Sequence, residues 1–106
     1  MTQETTRELS HPVADEIRLE AVLHALSDLT RLHIAHTLAK LGEEVSCSEI
    51  DLAVSKSTTT HHYRVLREAG VISQVYRGTS KLNALRRDDL DARFPGLLDS
   101  ILNAAG

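Results

Sequence analysis

Aromatic side chains are almost absent. Phe94, Tyr63 and Tyr76 are the whole set in 106 residues. With 42% apolar residues the chain still has material for a core, but that core has to be assembled from Leu, Ile, Val and Ala, which suits packed helices. Cysteine is as scarce. The single Cys47 excludes an intrachain disulfide and fits a reducing cytoplasm. No run approaches the ~20 apolar residues that span a bilayer, and the N-terminus is polar and acidic where a secretion signal would be basic and apolar. Also missing are a phosphate-cradling glycine loop, a Ser/His/Asp order and a cofactor fingerprint, so the sequence points to neither an enzyme nor a bound cofactor. The acidic pairs Glu43-Glu44 and Asp88-Asp89 fall at element boundaries, and a helix N-terminus accounts for Asp88-Asp89. The length is enough for one domain and not two, and a domain this small gains from oligomerising.

A net charge of −3 speaks at first against a nucleic-acid partner. The charge is unevenly spread, however. Residues 1–53 carry four Lys/Arg against ten Asp/Glu, whereas residues 54–81 carry Lys56, Arg64, Arg67, Arg77 and Lys81 against Glu68 alone. A polyanion responds to the local field, so the middle segment can approach phosphate while the rest faces away.

Residues 1–12 have no apolar periodicity and are expected to form a flexible arm ahead of one domain over 13–106. From Val13 to Leu26, Ile17, Ala21 and Ala25 recur on one face, which predicts a helix. A second helix follows, capped by Asp28, striped by Leu32, Ile34, Ala35, Leu38 and Leu41, and stopped by Gly42. Ser46 or Ser48 then caps a short third helix carrying Ile50 and Ala53. After the break Val54-Ser55-Lys56 comes a fourth helix, capped by Ser55 and ended by Gly70, as in a helix-turn-helix. Val71, Ile72, Val75 and Tyr76 run to Arg77-Gly78, and Lys81 to Leu85 return, which reads as a β-hairpin. Leu90, Phe94, Leu97, Leu98, Ile101 and Leu102 form a last helical stripe, with Pro95 opening its main part. The fold expected is mainly α with a small β-hairpin, a winged helix-turn-helix.

The fourth helix begins Lys56-Ser57-Thr58-Thr59-Thr60-His61-His62-Tyr63-Arg64. Four hydroxyl residues in a row are poor helix formers, because their side chains compete for backbone hydrogen bonds. At a helix N-terminus they do suit a surface that enters the major groove and meets base edges and phosphates. Helical spacing places Ser57, Thr60, His61 and Arg64 on one side with Thr58 adjoining, and Thr59, Tyr63 and Leu66 toward the core. The plain alternative is a surface helix with a long cap. The hairpin tip places Arg77 and Lys81 beside a tight turn. Alone it reads as an ordinary solvated hairpin; behind this helix it reads as a wing lying along the DNA backbone or minor groove. Lys56, Ser57, Thr58, Thr60, His61, Arg64, Arg77 and Lys81 are the candidate contacts to double-stranded DNA.

The run Ala25-Leu26-Ser27-Asp28-Leu29-Thr30-Arg31-Leu32 and the run Ser57 to Ile72, with Arg77-Gly78 at the wing, resemble the ArsR-type (arsenical-resistance repressor) winged-helix family. The likeness extends over roughly residues 13–103. It implies a homodimeric, cytoplasmic, bacterial repressor, paired through its first and last helices and released from a palindromic operator by a signal. The stripe Leu97, Leu98, Ile101 and Leu102, with Ile17 and Ala21, supplies the expected dimer interface. Leu29 stands where the family usually has proline, which is expected to alter the approach to the second helix. The resemblance also places His61 and His62 on a pair of which His61 faces DNA and His62 contacts backbone or fixes the helix.

Many relatives sense metals, yet Ser46 and Ser48 stand where the family's paired thiolates would, with Cys47 between them. One thiolate cannot hold a soft metal that wants three or four ligands. Residues 88–106 contain no histidine, so a carboxylate–imidazole site there is not expected. His33 and His36 are two ligands of an incomplete set, and His24 reads as an interface or partly buried residue. No metal site is expected. Cys47 is either a small semi-buried core residue, the favoured reading, or a redox switch. The alternatives to a plain repressor are a protein-interaction winged helix and a thiol- or metal-responsive repressor using Cys47; the sequence names no inducer.

Overall fold

Ile17 is apolar, helix-compatible and in register with Ala21 and Ala25, yet the helix breaks there. The computed structural model describes residues 6–42, 44–46, 50, 52 and 54–106. In it the expected helix over Val13–Leu26 is a 3-10 turn at Ala14–Glu16, an extended pair Ile17-Arg18, and α1 at Leu19–Ala25. The cause is tertiary. Arg93 Nη2 donates to the Ile17 carbonyl at 2.6 Å, and the Ile17 side chain is driven into the core.

α2 (Leu29–Leu41) begins at Asp28 and ends at Gly42, whose φ of 69° lies in the left-handed region. Asp28 Oδ2 accepts from the backbone N–H of Thr30 at 2.9 Å and of Arg31 at 3.1 Å. Leu29 occupies the first helical position with its side chain 85% exposed. That position tolerates proline and leucine alike, so the departure from the family pattern leaves the cap intact. The expected third helix falls largely on residues 47–49, 51 and 53, which lie outside the described residues, as do Cys47 and Ala53. Ser46, expected as a cap, is part of a strand instead: β2 (Val45–Ser46). Ile50 is buried.

α3 (Lys56–Glu68) starts where Ser55 Oγ accepts from Thr58 N at 3.2 Å. It gives way at Gly70 (φ 87°) to β3 (Ile72–Arg77), and Gly78 turns the chain into β4 (Ser80–Leu85). β3 and β4 pair antiparallel from Ile72↔Leu85 to Arg77↔Ser80. The hairpin is not alone. β2 pairs with β4, and β1 (Thr6–Glu8) pairs with β3, giving a four-stranded antiparallel sheet in the order β1-β3-β4-β2.

Residues 6–12, expected as part of a flexible arm, are therefore held. The reason is the edge of β3, whose backbone N–H and C=O groups need partners. Further along, Leu9 N donates to Gln74 O at 3.1 Å, Arg67 Nε to Ser10 O at 2.9 Å, and Arg86 Nη1 to Pro12 O at 2.6 Å.

After β4 come α4 (Arg87–Arg93) and α5 (Leu97–Ala105). Pro95 does not open α5; Phe94 caps the end of α4, and Gly96 (φ 81°) precedes Leu97. One core joins Val22 and Ala25 of α1, Ile34 and Leu38 of α2, Tyr63 and Leu66 of α3, Ile72 of the sheet, and Leu90, Leu98 and Leu102 of the last two helices. α3 with the hairpin directly behind it makes the fold a winged helix-turn-helix, mainly α. Among the described residues no helix is long and apolar enough to cross a membrane.

Candidate DNA interface

One helix carries the site, and its inner side decides what its outer side presents. Tyr63 and Leu66 of α3 are fully buried and His62 nearly so. Those anchors turn Lys56, Ser57, Thr58, Thr60, His61 and Arg64 outward, and all six are exposed. Thr59, expected on the core side, is half-buried.

The hydroxyls of the first turn are partly occupied. Ser55 Oγ donates to Thr58 Oγ1 at 2.8 Å, and Thr60 Oγ1 donates to the Lys56 carbonyl at 3.0 Å. Thr60 so held is exposed and its oxygen still has lone pairs to offer. It can accept from a base amino group or meet a thymine methyl.

On the wing, Arg77 Nη2 lies 3.6 Å from Glu44 Oε1, with both side chains 44% exposed. An exposed pair of this kind is weak, so Glu44 leaves Arg77 open to another anion. Lys81 Nζ sits 5.6 Å from the centre of the Tyr76 ring, a cation–π contact that holds it beside the turn. The fifth cation of the basic segment does something else. Arg67 Nη1 donates to Gln74 Oε1 at 2.7 Å, Gln74 Nε2 to Asn83 Oδ1 at 2.6 Å, and Asn83 Nδ2 to Val45 O at 3.0 Å. This buried polar line ties α3 to the sheet. Sequence reasoning missed it, although polar residues at inward-facing strand positions were its signal.

A second polar group sits at the foot of α3. The buried Arg31 guanidinium donates from Nε to Ala25 O at 2.7 Å, and its Nη1 lies 3.2 Å from His62 Nδ1. His62 is therefore held against Arg31 of α2, while His61 faces solvent. Asp28 closes the group, with Oδ2 3.9 Å from His62 Nδ1.

The hydrogen bond from the Arg31 backbone N–H holds the Asp28 carboxyl below its ordinary value of 3.8; partial burial opposes this, and the charge of Arg31 adds to it. A lowered folded-state value means stability that is present above the unfolded value and lost as acid protonates the carboxylate. Asp28→Ala is expected to cost about 1 kcal/mol near neutral pH, the usual worth of an N-cap. Urea melts are expected to show that difference intact above pH 3.8 and shrinking as the pH falls through the folded-state value. A difference unchanged in strong acid would contradict the assignment.

The expected dimer residues separate into two sets. Ile17, Leu98 and Leu102 are 1%, 2% and 6% exposed within one protomer, so they belong to its core and have little surface to offer a partner. Ala21, Leu97 and Ile101 are half-buried. Leu19 and Leu23 of α1, not singled out from the sequence for an interface, are 43% and 44% exposed. His33 is exposed and His36 half-buried. Among the described residues no group of three or more His, Cys, Asp or Glu could hold a metal ion.

No family model matches the chain. Over 89 residues it is 36% identical to a Bacillus subtilis (strain 168) protein described as an uncharacterized HTH-type transcriptional regulator, YceK, a match covering 82% of this chain and 88% of that one. Over 69 residues it is 38% identical to a cadmium resistance transcriptional regulatory protein CadC homolog of Staphylococcus aureus, covering 64% of this chain and 55% of that one. Helix-turn-helix transcriptional regulators bind double-stranded DNA and are not enzymes. The chain belongs to the helix-turn-helix-type transcriptional regulators.

Proposed function

We propose that the chain is a cytoplasmic, homodimeric repressor that reads a palindromic operator, with α3 in the major groove and the β3–β4 wing on the flanking backbone. The observation that carries this reading is the shared exposure of Lys56, Ser57, Thr58, Thr60, His61 and Arg64 on α3. Thr60 and His61 meet base edges; Lys56, Arg64, Arg77 and Lys81 meet phosphates. A protein-interaction winged helix would need an apolar outer face on α3, and these residues are polar. The repressor belongs to the ArsR type, to which the name of the Staphylococcus aureus relative lends support. Its trigger is not a soft metal bound as in that type, because Ser46 and Ser48 stand where thiolates are needed and hydroxyls are weak ligands for soft ions.

The test is affinity for a duplex selected from a random pool, measured against salt. Each phosphate contact contributes about −0.9 to the slope of log K against log salt on B-DNA. Arg77→Ala, which removes one contact per subunit, is expected to flatten the dimer's slope by about 1.8 and to weaken all sequences alike. Thr60→Ala is expected to leave the slope and to narrow the gap between the operator and its mutated forms. An affinity independent of salt would overturn the reading.

A further inference from the structure

One charged side chain joins three helices at the foot of α3. Arg31 belongs to α2. Its Nε donates to Ala25 O at 2.7 Å and its Nη2 to His24 O at 3.5 Å, both carbonyls at the end of α1, while its Nη1 meets His62 Nδ1 of α3 at 3.2 Å. Arg31 is 7% exposed and His62 9%. The carbonyls at the C-terminus of α1, of which that of His24 also accepts from Ser27, and the carboxylate of Asp28 offset the buried charge. A rigid planar fork can hold two helices at once in a way that a flexible ammonium cannot.

The chemistry of this contact fixes the state of His62. A guanidinium has only donors, so Nδ1 must accept, and the ring proton belongs on Nε2. Protonating the ring removes the acceptor and sets two cations face to face at 3.2 Å. The charged and titratable groups around His62 are Arg31 and Asp28 from α2 and His61 from its own helix, whose ring centre lies 5.9 Å away. From α1 come the carbonyls that Arg31 holds, one of them belonging to the titratable His24.

We propose that Arg31 and neutral His62 are positioning residues that set the angle at which α3 presents Thr60, His61 and Arg64, so that neighbouring histidines answer protons with opposite sign. The proposal rests on the reading of α3 as the DNA-facing helix and deepens it. A proton on the exposed His61 adds attraction to phosphate and raises affinity. A proton on His62 breaks the clamp and lowers it.

The experiment measures operator affinity by fluorescence anisotropy between pH 8 and pH 5.5, with circular dichroism melts at each pH to follow the fold. In His61→Gln the favourable proton is gone, and affinity is expected to fall about tenfold between pH 8 and pH 5.5. His62→Asn keeps an acceptor near the place of Nδ1 that protons cannot remove. Its affinity at pH 8 is expected to lie well above that of His62→Leu and to rise steadily as the pH falls, and His61→Gln/His62→Asn is expected to be nearly flat. His62→Leu, without an acceptor, is expected to bind weakly even at pH 8 while remaining folded. If the double variant loses affinity as steeply as His61→Gln, or if folded His62→Leu binds like the wild type, the proposal fails. Nitrogen-15 chemical shifts of the His62 ring test the clamp without DNA. An unprotonated Nδ1 at pH 8 is expected, and a protonated one overturns the clamp. Absence of duplex binding at every pH, with Nδ1 unprotonated, refutes the DNA reading of α3 and leaves the clamp standing.

Discussion

Gly70→Ala is expected to cost about 2–4 kcal/mol of folding stability, a drop in Tm of roughly 10–25 °C for a domain of this size. Two independent penalties meet at this residue. Its φ of 87° is left-handed, which disfavours any side chain by about 1 kcal/mol. A Cβ there would also lie 2.6 Å from Ile17 Cγ1, 2.9 Å from Cδ1 and 3.2 Å from Cγ2. Ile17 has nowhere to retreat, because its side chain is buried and its carbonyl is held by Arg93. Overpacking of this kind costs about 1–3 kcal/mol. Gly42 and Gly78 provide the control: both have positive φ, and a Cβ at either meets nothing within 4 Å. Alanine at those positions is expected to show the backbone penalty alone, about 1 kcal/mol. Removing the crowding side chain should then make the excess disappear, so Gly70→Ala in an Ile17→Ala background is expected to cost no more than Gly78→Ala. Equal denaturation midpoints for Gly70→Ala and Gly78→Ala would show that Ile17 yields easily. The joint also matters to function. Gly70 N donates to Arg67 O and Val71 N to Leu66 O, both at 3.0 Å, so this turn fixes where the wing leaves α3.

What the sequence announced clearly were features decided by near neighbours. Asp28 and Ser55 are caps read from their own chemistry, Gly42 and Gly70 are helix ends read from theirs, and the outward face of α3 follows from helical spacing once Tyr63 and Leu66 are taken as core. What it hid was decided by partners far along the chain. Ile17 keeps helical register in the sequence, yet it stands extended, with its side chain buried and its carbonyl held by Arg93. β1 is Thr-Arg-Glu, with no apolar alternation to betray it, because its part in the sheet is to satisfy the backbone edge of β3. Arg67 counts as one more phosphate-seeking cation in any local charge tally, yet the Ser10 carbonyl and the Gln74 amide take its guanidinium. The expected dimer stripe divides into buried and half-buried members for a related reason. Periodicity reports that Leu98 and Leu102 are covered, and cannot say whether the cover is their own protomer or another.

That distinction makes the proposed dimer testable without unfolding the chain. Leu98→Asp would place a charge in the protomer's core, since Leu98 is 2% exposed, and loss of DNA binding would then report unfolding alone. Leu23 of α1 and Ile101 of α5 are better probes, exposed and half-buried respectively. The two helices are neighbours: Val22 of α1 and Leu97 and Leu98 of α5 line one small apolar recess. Each leucine or isoleucine covered by a partner contributes about 1.5–3 kcal/mol when fully buried. Two-fold symmetry counts every substitution twice, so Leu23→Asp/Ile101→Asp is expected to weaken the dimer at least ~1,000-fold. Sedimentation is expected to show monomers at micromolar concentration, with the chain still folded: Leu23 is exposed, and Ile101, half-buried and packed against the core, accounts for a modest drop in Tm. Operator affinity is expected to fall by about 100-fold or more, since two half-sites no longer share one linked ligand. Affinity for a single half-site should change little, as α3 and the wing are untouched. A folded variant that still sediments as a dimer would move the interface away from α1 and α5. A monomer that kept full operator affinity would mean that one subunit does the reading alone.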